Sequence, residues 1–187
     1  TEKEIDRVLI LAFADGDRQA AQQLTERLMP KIHAHAYYRL GNIADAEDVT
    51  QEAFLRLWKF APRWEQGNAH VSTWLYRVVS NLCKDRYRRP KLEDLDVAKE
   101  PTDETQSPAD KIDDHSRQKA LYGAMSLLPE NQRLAVQFRH IDELTNPEIA
   151  EIMGLSVEAV ESLTARGKRK LIEFLASCKT ELGYTHG

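Results

Sequence analysis

The chain has 187 residues, 42% hydrophobic and 30% charged, which suits one domain or two small ones and excludes a disordered composition. No apolar run approaches the ~20 residues of a membrane span. Thr1 to Leu11 alternates charges with aliphatics and lacks a signal-peptide core, so a cytoplasmic protein with no membrane insertion is expected. The net charge of −4 is unevenly spread: residues 1–90 hold 14 Lys/Arg against 12 Asp/Glu, residues 91–117 hold 4 against 9, and residues 118–187 hold 8 against 9. An acidic middle masks two ends that carry basic clusters, so the total does not exclude a polyanionic partner.

From Asp17 to Leu40 there is no glycine and only Pro30, with apolar residues at helical spacing, and Gly41-Asn42 breaks the segment. Ala44 to Phe60 reads as an amphipathic helix, because Val49, Ala53, Phe54, Leu57 and Trp58 recur at steps of three and four. Pro62 to Gly67 reads as a loop. Val71 to Tyr87 is a third helix with Trp74, Leu75, Val78, Val79 and Leu82 on its apolar side, and Pro90 stops it. From Lys91 to about Ser116 aromatics vanish, acids dominate and Pro101 and Pro108 interrupt; such a segment buries too little to offset its ordering entropy and is expected to be a flexible acidic linker. A second helical unit follows: Arg117–Leu128, a break at Pro129, Asn131–Ile141, Pro147–Met153 and Val157–Ser177. The expected fold is all-α, two small helical bundles over 1–90 and 117–187 joined by the linker 91–116.

The end of the second unit carries a helix-turn-helix pattern. Asn146-Pro147-Glu148 is a helix start, with Asn as the cap, Pro at the first helical position and Glu at the positive end of the helix dipole. Ala150 is followed by Gly154 at four and Val160 at ten: a small residue for close helix approach, a glycine for the turn, and an aliphatic that packs back into the core. Ser156 is placed to cap the helix that would enter DNA. The run Ala165-Arg166-Gly167-Lys168-Arg169-Lys170 is the densest positive cluster in this half, suited to displacing counterions from phosphates; a solvated face is the bland alternative. In the first unit, the helix from Val71 interleaves Trp74 and Tyr76 with Arg77, Lys84, Arg86, Arg88 and Arg89, a composition that suits unstacked or single-stranded DNA. The alternative is that the rings are core, favoured for Trp74 and evenly balanced for Tyr76.

These segments resemble a known family. Asp45-Ala46-Glu47-Asp48-Val49-Thr50-Gln51-Glu52-Ala53-Phe54-Leu55-Arg56-Leu57-Trp58 is similar to region 2.2 of sigma-70-family factors. Thr73-Trp74-Leu75-Tyr76-Arg77 with Asn81 and Lys84 resembles regions 2.3 and 2.4. Leu128-Pro129-Glu130-Asn131-Gln132-Arg133 and Glu148-Ile149-Ala150-Glu151-Ile152-Met153-Gly154 resemble regions 4.1 and 4.2. The motifs occur in the family's order, and the short linker points to its extracytoplasmic-function (ECF) group.

The resemblance implies an alternative sigma factor that binds core RNA polymerase and directs promoter-specific initiation, with no catalysis, no cofactor and no metal. It implies docking on the β′ clamp coiled coil through Asp45, Asp48, Gln51, Glu52 and Arg56. It implies recognition and melting of the −10 element by Arg63, Trp64, Asn68 and His70 of the loop, and by Tyr76, Arg77, Asn81, Lys84 and Arg88 of the helix behind it. It implies contact with the β flap and with the −35 element, the latter through Ser156, Glu158, Glu161, Ser162, Thr164, Ala165, Arg166, Lys168 and Arg169. An anti-sigma factor is an expected further partner. One stretch departs from the family: where many members have Gly-Thr-Val-Lys-Ser-Arg, this chain has Glu158-Ala159-Val160-Glu161-Ser162-Leu163. Glu161 either reads a base, since a carboxylate accepts from the cytosine amino group, or weakens −35 binding, or faces a protein. Glu161 in the Lys position and Leu163 in the Arg position remove two expected phosphate contacts, and they motivate the alternative function of a decoy that sequesters an anti-sigma factor without promoter binding. His33 and His35, two apart, point to different helix faces and make no metal pair. Cys83 and Cys178 read as reduced thiols, with a regulatory thiol as the lesser alternative.

Overall fold

The computed structural model describes residues 1–65, 69–88 and 120–181, with side chains to 177 and without that of Arg88. Asn68, the segment 91–116 and the side chains of Arg88 and Cys178, all part of the sequence reading, lie outside the described residues. The described residues are helical with no strand, and the chain divides into two compact units, Thr1–Ala98 and Lys99–Gly187.

The first unit contains α1 (Glu2–Ala14), α2 (Arg18–Leu40), α3 (Ile43–Phe60), a single 3₁₀ turn (Ala61–Arg63) and α4 (Val71–Arg88). Side chains set the boundaries. The Asp17 carboxylate accepts from the amides of Gln19 (2.9 Å) and Ala20 (3.4 Å) and starts α2. Gly41, at φ 65°, ends α2 in the left-handed conformation that costs glycine nothing, and Asn42 caps α3 by accepting from the Asp45 amide at 3.0 Å. Helix α2 continues through Pro30, although the ring removes one backbone donor. It is the central helix and packs on α1, α3 and α4. Ala20, Leu24, Leu28, Ile32 and Ala36, each four residues on, form its buried stripe. Val49, Ala53 and Leu57 of α3 and Val71, Leu75, Val79 and Cys83 of α4 complete the core. Helix α1 is an element the sequence reading did not assign. It buries Ile10 but leaves Ile5 and Val8 exposed, which blurs the periodicity. It is also held by a buried carboxylate, Asp6, which accepts from Arg27 of α2 at 2.8 Å.

The second unit contains α5 (helical over 120–126), α6 (Glu130–His140), α7 (Asn146–Met153) and α8 (Val157–Glu181). Met125, Leu128 and Val136 form a core against which Leu121, Ile141, Leu171 and Phe174 pack. The cap of α7 corrects the sequence reading: it is Thr145, and Asn146 is the first helical residue. Glu148 accepts from both the Thr145 amide (3.0 Å) and its hydroxyl (2.6 Å), the reciprocal arm of a capping box that prevails over Asn146. The turn is as expected: Gly154 is left-handed at φ 67°, Ala150 is buried beside it and Val160 is fully buried.

Candidate docking and nucleic-acid surfaces

The outer face of α3 carries Asp48, Gln51, Glu52, Leu55 and Arg56, all exposed. Its acids are not bare. A single terminal nitrogen of Arg86, on α4, reaches Asp45 at 2.6 Å and Asp48 at 3.0 Å, while Arg56 pairs with Glu52 one turn back at 2.8 Å. The two acids favour the charged Arg86, whose pKa is raised despite partial burial. Much of the negative charge assigned to this edge from sequence is therefore met within the chain. Two features went unnoticed in the sequence: Arg86 as the clamp, and Leu55, which is 54% exposed in the middle of the polar rim. The i, i+3, i+4 pattern of the face would have found Leu55; Arg86 lies 38 residues from Asp48, and only the packing of α4 on α3 brings them together. Beside this face Gln51 also lines a hollow of about 510 Å³, with Met29, Pro30 and His33 of α2 and Glu47 and Thr50 of α3.

On α4, Arg77, Asn81 and Lys84 follow one another at steps of four and three and so share a face, opposite the buried stripe of Val71, Leu75, Val79 and Cys83. Asn81 and Lys84 are exposed and Arg77 is half-buried. Arg63 and His70, at either end of the connection between α3 and α4, are exposed. Two assignments made from sequence are corrected. Trp64 is only 7% exposed; it stands edge-on to Phe60 (5.7 Å) and Trp74 (6.3 Å), so it holds the loop to the core and presents no stacking platform. Tyr76 is 3% exposed and packs edge-on against His35 at 5.2 Å. The family resemblance implies a DNA role for Trp64, and the sequence leaves Tyr76 balanced between DNA and core; burial of their large apolar area decides their place. His35 is itself buried with its Nε2 3.3 Å from the Ser80 hydroxyl, while His33 is half-buried elsewhere on α2. Among the described residues no cluster of His, Cys, Asp and Glu is placed to hold a metal ion.

In the second unit α8 turns Val160 and Gly167 inward and exposes Glu158, Glu161, Ser162, Ala165, Arg166, Lys168 and Arg169. The Ser156 hydroxyl accepts from the Ala159 amide at 3.1 Å and caps the helix. The Glu158 carboxyl is held below its usual range by its own backbone amide and by Ser156, so both residues also serve the helix end. The Thr164 hydroxyl turns back to the Val160 carbonyl (2.9 Å), and Arg166 folds along the helix onto the Ser162 hydroxyl (2.7 Å). Leu163 is half-buried, so the leucine that stands in the family's Arg position contributes to packing. Glu161 is exposed and accepts from the Asn146 side chain of α7 at 3.3 Å. Gly167 lies buried against α6, where an added Cβ would stand 2.7 Å from Val136 and 3.0 Å from the Gln132 carbonyl.

Residues 24–92 match the family model for Sigma-70 region 2, and residues 118–171 match that for Sigma-70 region 4. The chain belongs to the sigma-70 family. Within it the ECF group is the matching branch. The chain is 30% identical over 167 residues to the ECF RNA polymerase sigma factor SigW of Bacillus subtilis, covering 83% of this chain and 89% of that protein. It is 28% identical over 182 residues to the ECF RNA polymerase sigma-E factor of Escherichia coli, covering 91% and 94%. The fold is similar to that of CnrH in a complex with the cytosolic domain of CnrY (TM-score 0.72, 24% identity, 92% of this chain and 98% of that one). It is also similar to that of the sigma factor RpoE bound to the anti-sigma factor NepR from Bartonella quintana (TM-score 0.65, 19% identity, 83% and 96%). The sigma factor described here is an alternative sigma factor that directs transcription initiation and is not an enzyme. Among the described residues of this sigma factor no helix is long and apolar enough to cross a membrane.

Proposed function

We propose that the outer face of α3 is the surface on which this sigma factor meets core RNA polymerase at the β′ clamp coiled coil, and that α4 and α8 meet the −10 and −35 elements. The exposed Leu55, ringed by Asp48, Gln51, Glu52 and Arg56, carries the docking assignment. A bare leucine within a polar rim is the anatomy of a small protein interface, in which the apolar centre supplies affinity and the rim supplies orientation. The stripe of Arg77, Asn81 and Lys84, with Arg63 and His70, supports strand binding for the −10 element by cations that follow a phosphate backbone. The α8 face supports the −35 contact, and the β flap is the proposed second contact of this unit on the polymerase. The RpoE–NepR complex supports an anti-sigma factor as a further partner, and a cytoplasmic location fits these partners.

The test is assembly with purified core polymerase followed by promoter-dependent transcription. Leu55→Ala is expected to weaken assembly about tenfold, the loss of about 1.5 kcal/mol of apolar burial. Glu52→Lys is expected to weaken it further by placing a second cation beside Arg56. Wild-type assembly of both variants would overturn the docking assignment. A chain that captures an anti-sigma factor but never assembles with core would instead support the decoy.

A further inference from the structure

We infer that Glu161 reads a cytosine in the −35 element, with Asn146 as the residue that holds its carboxylate in position. The inference rests on the proposed −35 role of α8 and adds the base it selects. Glu161 is the fifth residue of α8 and is exposed, about 100° around the helix from the buried Val160. In a helix-turn-helix the N-terminal residues of the second helix meet base edges, while positions further along meet the backbone. Arg166 and Arg169 lie five and eight residues beyond Glu161, roughly 7 and 12 Å along the axis. That separation places the acid at the base edges and the cations over phosphates.

The carboxylate is oriented before DNA arrives. The Asn146 side-chain amide, at the first position of α7, donates to Oε1 of Glu161 at 3.3 Å, and Oε2 accepts no hydrogen bond among the described residues. A carboxylate only accepts, so the base it meets must donate. In the major groove guanine offers acceptors only and thymine offers an acceptor and a methyl group. Adenine offers a donor beside an acceptor, and cytosine alone offers an amino donor without an adjacent acceptor. Cytosine therefore satisfies Oε2 without opposing it, whereas guanine or thymine leaves a desolvated charge unpaired. Ala165, one turn on, is exposed and small, and leaves the base edge room.

The experiment uses the full chain with core polymerase and a promoter library randomised across the −35 element. The wild type, Glu161→Ala, Glu161→Gln and Asn146→Ala are compared. The wild type is expected to favour cytosine at one position about 5- to 10-fold. Glu161→Ala removes that preference and leaves the other positions and the salt dependence unchanged. Glu161→Gln moves it toward adenine, which the amide can grip by donor and acceptor together. Asn146→Ala reduces the cytosine preference two- to threefold at unchanged thermal stability, which a purely structural role for Asn146 would not do. The inference fails if no position favours cytosine, or if Glu161→Ala raises affinity equally for every sequence, the sign of an acid that merely repels phosphate. If promoters are used with no −35 preference at all, the −35 role of α8 fails, and the inference with it.

Discussion

Replacing Gly167 with alanine sets two effects of opposite sign against each other. Alanine is about 1 kcal/mol better than glycine inside a helix. Here, however, the new Cβ would stand 2.7 Å from a methyl of Val136, 3.0 Å from the Gln132 carbonyl oxygen and 3.3 Å from the Gln132 Cβ. The carbonyl is backbone of α6 and cannot swing aside, and Val136 is buried and β-branched, with little rotamer freedom. Helix α8 must shift away from α6, opening the cluster of Met125, Leu128, Val136, Leu171 and Phe174. Overpacking of this kind costs about 1–3 kcal/mol, so the net expectation is destabilisation of the second unit by about 1 kcal/mol, roughly 4–8 °C in Tm for a unit of this size. The three tryptophans, at positions 58, 64 and 74, all lie in the first unit, so their fluorescence supplies an internal control. Hydrogen exchange of amides in 130–177 should accelerate in Gly167→Ala while the tryptophan transition stays in place. Slower exchange and a higher Tm for the second unit would refute the close-approach argument and leave helix propensity in charge.

Arg86→Ala should cost the first unit no more than about 1 kcal/mol by tryptophan-monitored melting, because the Arg86 and Asp45 side chains are each more than a third exposed and Asp48 nearly two thirds; a loss above about 2 kcal/mol would make the clamp a structural staple. Neutralising Arg166, Lys168 and Arg169 together should flatten the log K against log salt slope of −35 binding by about 3, measured by titration from low to physiological salt, and an unchanged slope would count against phosphate contact. Burial pushes the Cys83 thiol up to about 11, with Arg39 and Arg86 drawing it part-way back, so in a Cys178→Ser background Cys83 should resist alkylation at neutral pH until the unit unfolds. The folded state binds that proton more tightly than the unfolded chain. The associated stability, about 2–3 kcal/mol, is therefore complete below about pH 9 and lost as the pH rises toward about 11, which melting curves across that range would read.

The helices over 18–40, 43–60 and 71–88 and the turn at Gly154 were legible in the amino-acid order, because burial of one helix face writes a period of three and four into the residues and glycine marks the left-handed turn. The motifs of the first unit were legible for the same reason: they lie on the continuous helices α3 and α4, whose faces follow from the spacing of residues in sequence. What sequence misjudged were properties set by the other helices. Trp64 and Tyr76 are buried, because Phe60 of α3 and Trp74 of α4 pack on the first and His35 of α2 on the second. Helix α1 hides its periodicity by exposing Ile5 and Val8 while committing a carboxylate, Asp6, to Arg27. Arg86 reaches two acids on another helix, Asn146 reaches Glu161 across a turn, and Gly167 is small because α6 passes against it. Each of these depends on a distance between elements. Local sequence determined the helices and which sides of them are apolar; the packing of one helix on another decided which charges are already paired, which rings are buried, and which acid is held by a neighbouring helix.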